Sequence, residues 1–255
     1  MELKGRIALV TGAATGIGRA TVLELTKAGV AGVAINYRTA KKKAEEVAAE
    51  ARKRGAQALC VHADVKNNEE INGMIQQAAE RFGRLDVLVN NAGITHWVPV
   101  SDLEGLTDAI WDEVFDVHVK GAFRCARAAA PFLAQTQGMV INVSSISGVI
   151  APSTMSSLAY GTAKAALIYL TRGLAVALGP QVRVNAVAPA FTGTQWMRDH
   201  YGADYADMIS RESGNYPLRR IATPEEVAQA IVGLITGGDF VTGQTLIVDG
   251  GLSLS

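Results

Sequence analysis

Tyr160 and Lys164 stand four residues apart in the run Tyr160-Gly161-Thr162-Ala163-Lys164, which opens a nearly unbroken apolar segment reaching Leu178. On a helix that spacing puts both side chains on one face, where they can meet the same ligand. A free tyrosine titrates near ~10, too high to exchange protons readily at neutral pH, and a neighbouring ammonium favours the phenolate and lowers that value. Tyr160 then becomes a usable general acid or base. Ser145, 15 residues upstream, can hold a carbonyl or hydroxyl oxygen against it. Taken alone the pair also reads as an ordinary helix-surface pair, and the rest of the chain has to decide.

The elements that must position these residues lie around them. Met139 to Val143 is a short branched apolar run suited to a buried strand, and it ends in Ser144-Ser145-Ile146-Ser147-Gly148. A loop with Pro152 leads into the helix from Tyr160 to Leu178. Similar apolar runs recur at Ile7 to Val10, Val33 to Ile35, Ala58 to Val61, Val87 to Val89, Val182 to Val187 and Leu246 to Val248. Helical patterns separate most of them, at Gly18 to Ala28, Thr39 to Arg54, Asn68 to Phe82, Ala109 to Gln135 and Pro224 to Thr236. Continuous rather than alternating apolar strands between helices predict an α/β fold with a parallel sheet covered on both faces. With 255 residues, 49% of them hydrophobic, the chain can bury one large core, and a single domain is expected.

Ligands of such sheets bind beyond the carboxyl ends of the strands, and the polar clusters of this chain fall there. Thr11-Gly12-Ala13-Ala14-Thr15-Gly16-Ile17-Gly18 separates the first strand from the first helix. Its glycines permit a tight turn and let backbone N–H groups and the helix N-terminus approach a pyrophosphate. The second strand ends in Asn36-Tyr37-Arg38, where an acid for the ribose hydroxyls of NAD would stand. Arg38 instead suits a 2′-phosphate, which favours NADP(H) with NAD(H) still open. It also reads as part of a solvated charge run with Lys41, Lys42 and Lys43. Asp64 has two readings as well, contact with an adenine amino group or the cap of the helix that follows.

Composition narrows the class further. The 24 basic and 24 acidic residues cancel, so nucleic acid and anionic membranes are not expected partners. Cys60 and Cys125 sit in separate apolar segments and read as free thiols of a reducing compartment. Met1 to Gly5 leads straight into the first strand without a signal-peptide pattern. The most apolar helix carries Lys164 and Arg172, against a membrane span; a cytoplasmic protein is expected. His62, His96, His118 and His200 show no metal-ligand spacing, so no metal is expected.

Across essentially its whole length the sequence resembles the short-chain dehydrogenases and reductases. The resemblance rests on the Thr11 to Gly18 turn, Asp64-Val65, Asn90-Asn91-Ala92-Gly93, Ser145, Tyr160 with Lys164, Arg183-Val184-Asn185 before Pro189, Thr194, and Val248-Asp249-Gly250-Gly251. It implies a Rossmann-type, doubly wound, parallel seven-stranded sheet with helices on both faces, and hydride transfer between a nicotinamide and a carbonyl or alcohol. Tyr160 would be the proton donor or acceptor, Lys164 would hold the nicotinamide ribose and lower the tyrosine's pKa, and Ser145 would orient the substrate oxygen. Gly12, Ala14, Thr15, Gly16, Ile17, Asp64, Val65, Asn91, Ala92, Gly93, Thr192 and Thr194, with Tyr160 and Lys164, are the matching cofactor positions. The family usually forms tetramers or dimers through two long helices, and the apolar circumference of the Tyr160 to Leu178 helix agrees; a homotetramer is expected.

Three departures stand out. His118, in Asp116-Val117-His118-Val119-Lys120-Gly121, replaces an asparagine that in relatives helps hold a water linking the lysine to solvent. Imidazole can join such a relay and titrates near neutrality, which would make turnover pH-sensitive, or it only fills the space. Ala190 stands where glycine is usual and is harmless only at negative φ. The Ser145 to Tyr160 spacing is longer than in many relatives, and the Ser153-Thr154-Met155-Ser156-Ser157 loop is expected to reshape the pocket.

Substrate choice is expected in Thr95 to Thr107 and in a lid at about 194–217, where Trp196, Met197, Tyr201, Tyr205 and Met208 suit an apolar, mid-sized carbonyl or else pack an oligomer contact. The sequence also resembles 3-oxoacyl thioester reductases and sugar dehydrogenases. The ends of the two long helices, Pro131 to Gln137 and Leu178 to Gln181, carry no charge, so carrier-protein docking is the weaker reading. A third possibility from another class is a cofactor-binding scaffold or sensor with little turnover.

Overall fold

The computed structural model describes residues 1–151 and 156–254; Pro152 and the Ser153-Thr154-Met155 part of the loop expected to reshape the pocket lie outside them. Seven strands form one parallel sheet in the order β3-β2-β1-β4-β5-β6-β7. They are β1 (Ile7–Val10), β2 (Gly32–Tyr37), β3 (Gln57–His62), β4 (Val87–Asn90), β5 (Met139–Val143), β6 (Arg183–Pro189) and β7 (Thr245–Val248). The order reverses between β1 and β4, whose registers pair Ala8 with Val87 and Val10 with Val89. At this switch point the loops after the two strands turn away from each other and open a crevice at the carboxyl edge.

Successive strand residues face opposite layers, so each strand feeds two cores. Ala8 and Val10 pack with α1 (Gly16–Lys27), α2 (Lys41–Lys53) and α9 (Pro224–Thr236), through Val22, Val47 and Ile231. Ile7 and Leu9 face α3 (Asn68–Phe82), α5 (Ala122–Thr136) and α6 (Leu158–Leu178), through Ile75, Ala129 and Leu174. That double coverage is why the strands read as unbroken apolar runs.

Two expectations about helices change. The predicted helix from Ala109 to Gln135 is α4 (Asp108–Phe115), a π-helical stretch Asp116–Gly121, and α5. The wider turn buries both Val117 and His118, which a regular α-helix would space less closely on its inner side. Helix α6 begins two residues earlier than expected, because the Ser157 hydroxyl caps it by accepting the Tyr160 N–H at 3.2 Å. The segment after β6 holds α7 (Gln195–Tyr201) and α8 (Tyr205–Ser213).

Candidate active site

The end of β5 is clamped to α6 by three contacts. The Ser144 hydroxyl donates to Lys164 O at 2.8 Å, and Lys164 Nζ donates to Val143 O at 2.8 Å. Between them, the 3₁₀ turn Ile146–Gly148 lies so close to α6 that a Cβ on Gly148 would come within 2.5 Å of Lys164 C. The turn also fixes Ser145, whose Oγ accepts the Ser147 N–H at 3.2 Å. Ser145, Tyr160 and Lys164 are thereby brought to one place.

The electrostatics depart from the expectation that Lys164 lowers the tyrosine. Burial pushes the Tyr160 phenol up to about 12, only partly offset by a hydrogen bond with the Ser145 side chain. Lys164, 4% exposed, is driven by burial down to about 7. Its Nζ lies 5.4 Å from the Tyr160 ring centroid and is bonded to the strand, so the desolvation of both groups outweighs their attraction. In this arrangement tyrosine is the acid form and lysine is poised near neutrality.

His118 is buried, and the expectation that it titrates near neutrality fails. Burial and the nearby Lys164 charge hold it well below 6.5, against a smaller opposing effect from Ile94. Its Nε2 lies 2.7 Å from Ile94 O, and the ring's tautomer sets which Ile94 backbone group it bonds. The same nitrogen is 3.2 Å from Ile94 N. The ring meets Tyr160 edge-on at 5.3 Å and packs on Gly93, where a Cβ would come within 2.7 Å of Cε1. His118 thus holds the backbone after β4 against the phenol.

A cleft of about 510 Å³ runs from these residues along the carboxyl edge. Gly12, Ala14, Thr15, Gly16, Ile17 and Arg38 line one end. Asn91, Ala92, Gly93, Thr192 and Thr194 border its middle, with His118, Ser145, Tyr160 and Lys164 beyond. Asp64 and Val65 do not line it. Asp64 Oδ1 accepts the Lys66 N–H at 2.9 Å and Oδ2 lies 3.8 Å from Arg38 Nη1. The helix cap offered as its other role belongs to Asn67, whose Oδ1 accepts from Glu69 N–H at 2.9 Å, because α3 starts later.

The residues at the glycine turn fit a dinucleotide. Gly12 adopts φ +60 and passes so close to Ala92 Cα that a Cβ would sit 2.9 Å away. Thr15, the cap of α1, makes no side-chain cap bond, and the first turn holds no acid, so its N–H groups remain available to a phosphate. Asn36 does structural work that the sequence did not suggest. Its Oδ1 accepts the Gly12 N–H at 3.1 Å and its Nδ2 donates to Ala63 O at 3.0 Å, tying the turn to the β3 end. Asn91 Nδ2 donates to Thr11 O at 2.9 Å and Gly12 O at 3.1 Å. Lys43 borders the cleft beside Arg38, a cation that its place in a charge run concealed. Ala190 causes no strain, since Gln137 and Arg219 are the positive-φ non-glycine residues among those described.

Apolar side chains gather at the opposite end, beside Gln195 and Asp199 of α7. Phe191, Trp196 and Met197 border it, joined by Trp97 and Ser156. Trp97 lies in a stretch expected to set substrate choice, yet nothing in its spacing singled it out. Among the described residues no three metal-binding side chains come together, and no helix is long and apolar enough to cross a membrane.

Residues 12–253 match the family model described as enoyl-(acyl carrier protein) reductase. A protein of Streptomyces violaceoruber, named for ketoacyl reductase 2 of the granaticin polyketide synthase, is 39% identical over 97% of this chain and 96% of its own. The 3-oxoacyl-acyl-carrier-protein reductase of Synechocystis sp. is 37% identical over 98% of each chain. A crystal structure of a short-chain type dehydrogenase/reductase from Mycobacterium marinum superposes with a TM-score of 0.91 at 31% identity, covering 100% of this chain and 98% of that one.

Proposed function

The chain belongs to the short-chain dehydrogenase/reductase family of oxidoreductases, and we propose that within it the protein interconverts a carbonyl and a secondary alcohol with NADP(H), Tyr160 serving as general acid/base. The observation that carries this reading is the clamp between β5 and α6, which holds Ser145, Tyr160 and Lys164 at one end of a cleft whose other end carries the glycine turn, Arg38 and Lys43.

The residues divide the work by position. Gly12, Ala14, Thr15, Gly16 and Ile17 would cradle the pyrophosphate, and Arg38 with Lys43 would pair with a 2′-phosphate. Asn91, Ala92, Gly93, Thr192, Thr194 and Lys164 would hold the nicotinamide half. When bound, the nicotinamide supplies or accepts the hydride. Ser145 orients the substrate oxygen, and Tyr160, held as a protonated phenol, is in the form that a carbonyl reduction needs. His118 positions rather than relays. The helices at 194–217 form the substrate lid. The exposed apolar side chains of α6, Tyr169 and Val176, and of the edge strand β7, Leu246 and Ile247, support a homotetramer, and the two free thiols support a cytoplasmic setting.

A second reading, reduction of a 3-oxoacyl thioester, is favoured by the ketoacyl and 3-oxoacyl reductases among the relatives. Both readings are tested by following NADPH and NADH oxidation with ketones, diketones, keto-sugars and 3-oxoacyl thioesters. Turnover should favour NADPH, and Arg38→Leu should raise the KM for NADPH by roughly ten- to a hundredfold, the loss of a charge-assisted bond, with little change for NADH. Tight NADPH binding with no turnover across the whole panel would instead favour a cofactor-binding scaffold.

A further inference from the structure

The segment between β4 and α4 carries Trp97 along the substrate end of the cleft. Its indole stacks on His200 with ring centroids 3.6 Å apart and planes 7° from parallel. Tyr201 meets the same indole edge-on at 5.9 Å. His200 and Tyr201 belong to α7 and do not border the cleft, whereas Trp97 does. Trp97 therefore lies between His200 and Tyr201 and the cleft, beside Trp196 and Met197 of α7, which border the cleft directly.

The indole is held from its own segment as well. Val98 N–H donates to Ser156 O at 2.8 Å, the Thr95 hydroxyl bonds the Ser156 hydroxyl, and His96 Nε2 lies 3.0 Å from Glu113 Oε2. Anchors on both sides of Trp97 and a parallel stack behind it fix the plane of the ring. A fixed aromatic plane attracts another flat π-system by offset stacking, in addition to the apolar area covered. A flexible acyclic chain gains only the area. Trp196, tilted against Trp97 at 6.0 Å, borders the same space.

We propose that Trp97, held flat by His200, is the specificity-determining residue of the site and selects ketones carried on a flat, apolar ring system over acyclic ketones. The inference rests on the oxidoreductase reading for the reacting carbonyl, but not for binding of the ring.

The test compares 2-acetylnaphthalene with 2-butanone in wild type, Trp97→Leu, Trp97→Phe, His200→Ala and His200→Phe. For the naphthyl ketone, Trp97→Leu should raise KM roughly tenfold and His200→Ala a few-fold, while both Phe variants recover most of the loss. For 2-butanone the rise in KM should be several-fold smaller than for the naphthyl ketone in each variant, and for the naphthyl ketone KM should change more than kcat. A naphthyl-ketone KM unchanged in Trp97→Leu, or an equal rise for both ketones, overturns the assignment. If wild type turns over neither ketone, equilibrium dialysis of 2-acetylnaphthalene with saturating NADPH replaces KM. Binding weakened by Trp97→Leu and recovered by Trp97→Phe then upholds the aromatic wall and leaves the reacting carbonyl to the wider substrate panel, and binding indifferent to residue 97 sinks the wall.

Discussion

Lys164 gives a group at the centre of the site a measurable signature. Folded, it titrates near 7; its ordinary value is 10.5. Between those values the unfolded chain binds a proton that the folded chain does not, so stability rises with pH across the window. Tyr160, raised from 10.0 to about 12, acts in the opposite direction only above 10. Lys164→Met should therefore flatten the rise of Tm between pH 7 and 10, and parallel slopes for mutant and wild type would contradict the assignment. His118 makes the converse prediction. Because burial keeps it neutral, His118→Asn should change the height of the kcat profile between pH 6 and 8 but not its shape; a displaced limb in this range would restore the imidazole to the proton path.

At the scale of elements, catalysis depends on how closely the 3₁₀ turn after β5 rests on α6. Gly148→Ala puts a Cβ within 2.6 Å of the Ala165 nitrogen, so the turn must lift and carry Ser145 away from Tyr160. A displacement of this kind should lower kcat by roughly a hundredfold with NADPH affinity retained. Gly173→Ala on the same helix has nothing within 4 Å and should leave kcat unchanged; if the two variants behave alike, the close contact is not what sets the geometry. Such contacts also mark where the sequence stops being legible. The strands could be read because apolar runs between helices have few other uses, and the Tyr160 and Lys164 face because helical spacing is local. Gly148 against Lys164, Asn36 under Gly12 and Trp97 on His200 join residues far apart in the chain, and no local period encodes them. The π-helical turn escaped for a related reason: Asp116 to Gly121 keeps an apolar pattern that a regular helix also satisfies.

For the whole molecule, α6 has one face spent on the sheet and another left open. Tyr169 is 76% and Val176 85% exposed, an outer apolar face that a chain alone in water has no reason to keep. In the proposed homotetramer this face is covered. The double variant Tyr169→Glu, Val176→Glu should move the sedimentation coefficient toward that of a smaller assembly at unchanged helical content. An unaltered sedimentation profile would place the contact elsewhere, with the exposed Leu246 and Ile247 of β7 the next surface to change.

The role proposed for Tyr160 is to move the proton in a reaction whose cofactor is held mainly by other parts of the cleft. Its most direct test measures NADPH affinity and turnover together in wild type and Tyr160→Phe, using the best carbonyl from the substrate panel. NADPH should bind with nearly equal affinity to both proteins, while kcat falls by at least roughly a hundredfold in the variant, the share of general acid catalysis. Turnover that survives the loss of the phenol hydroxyl would contradict the account.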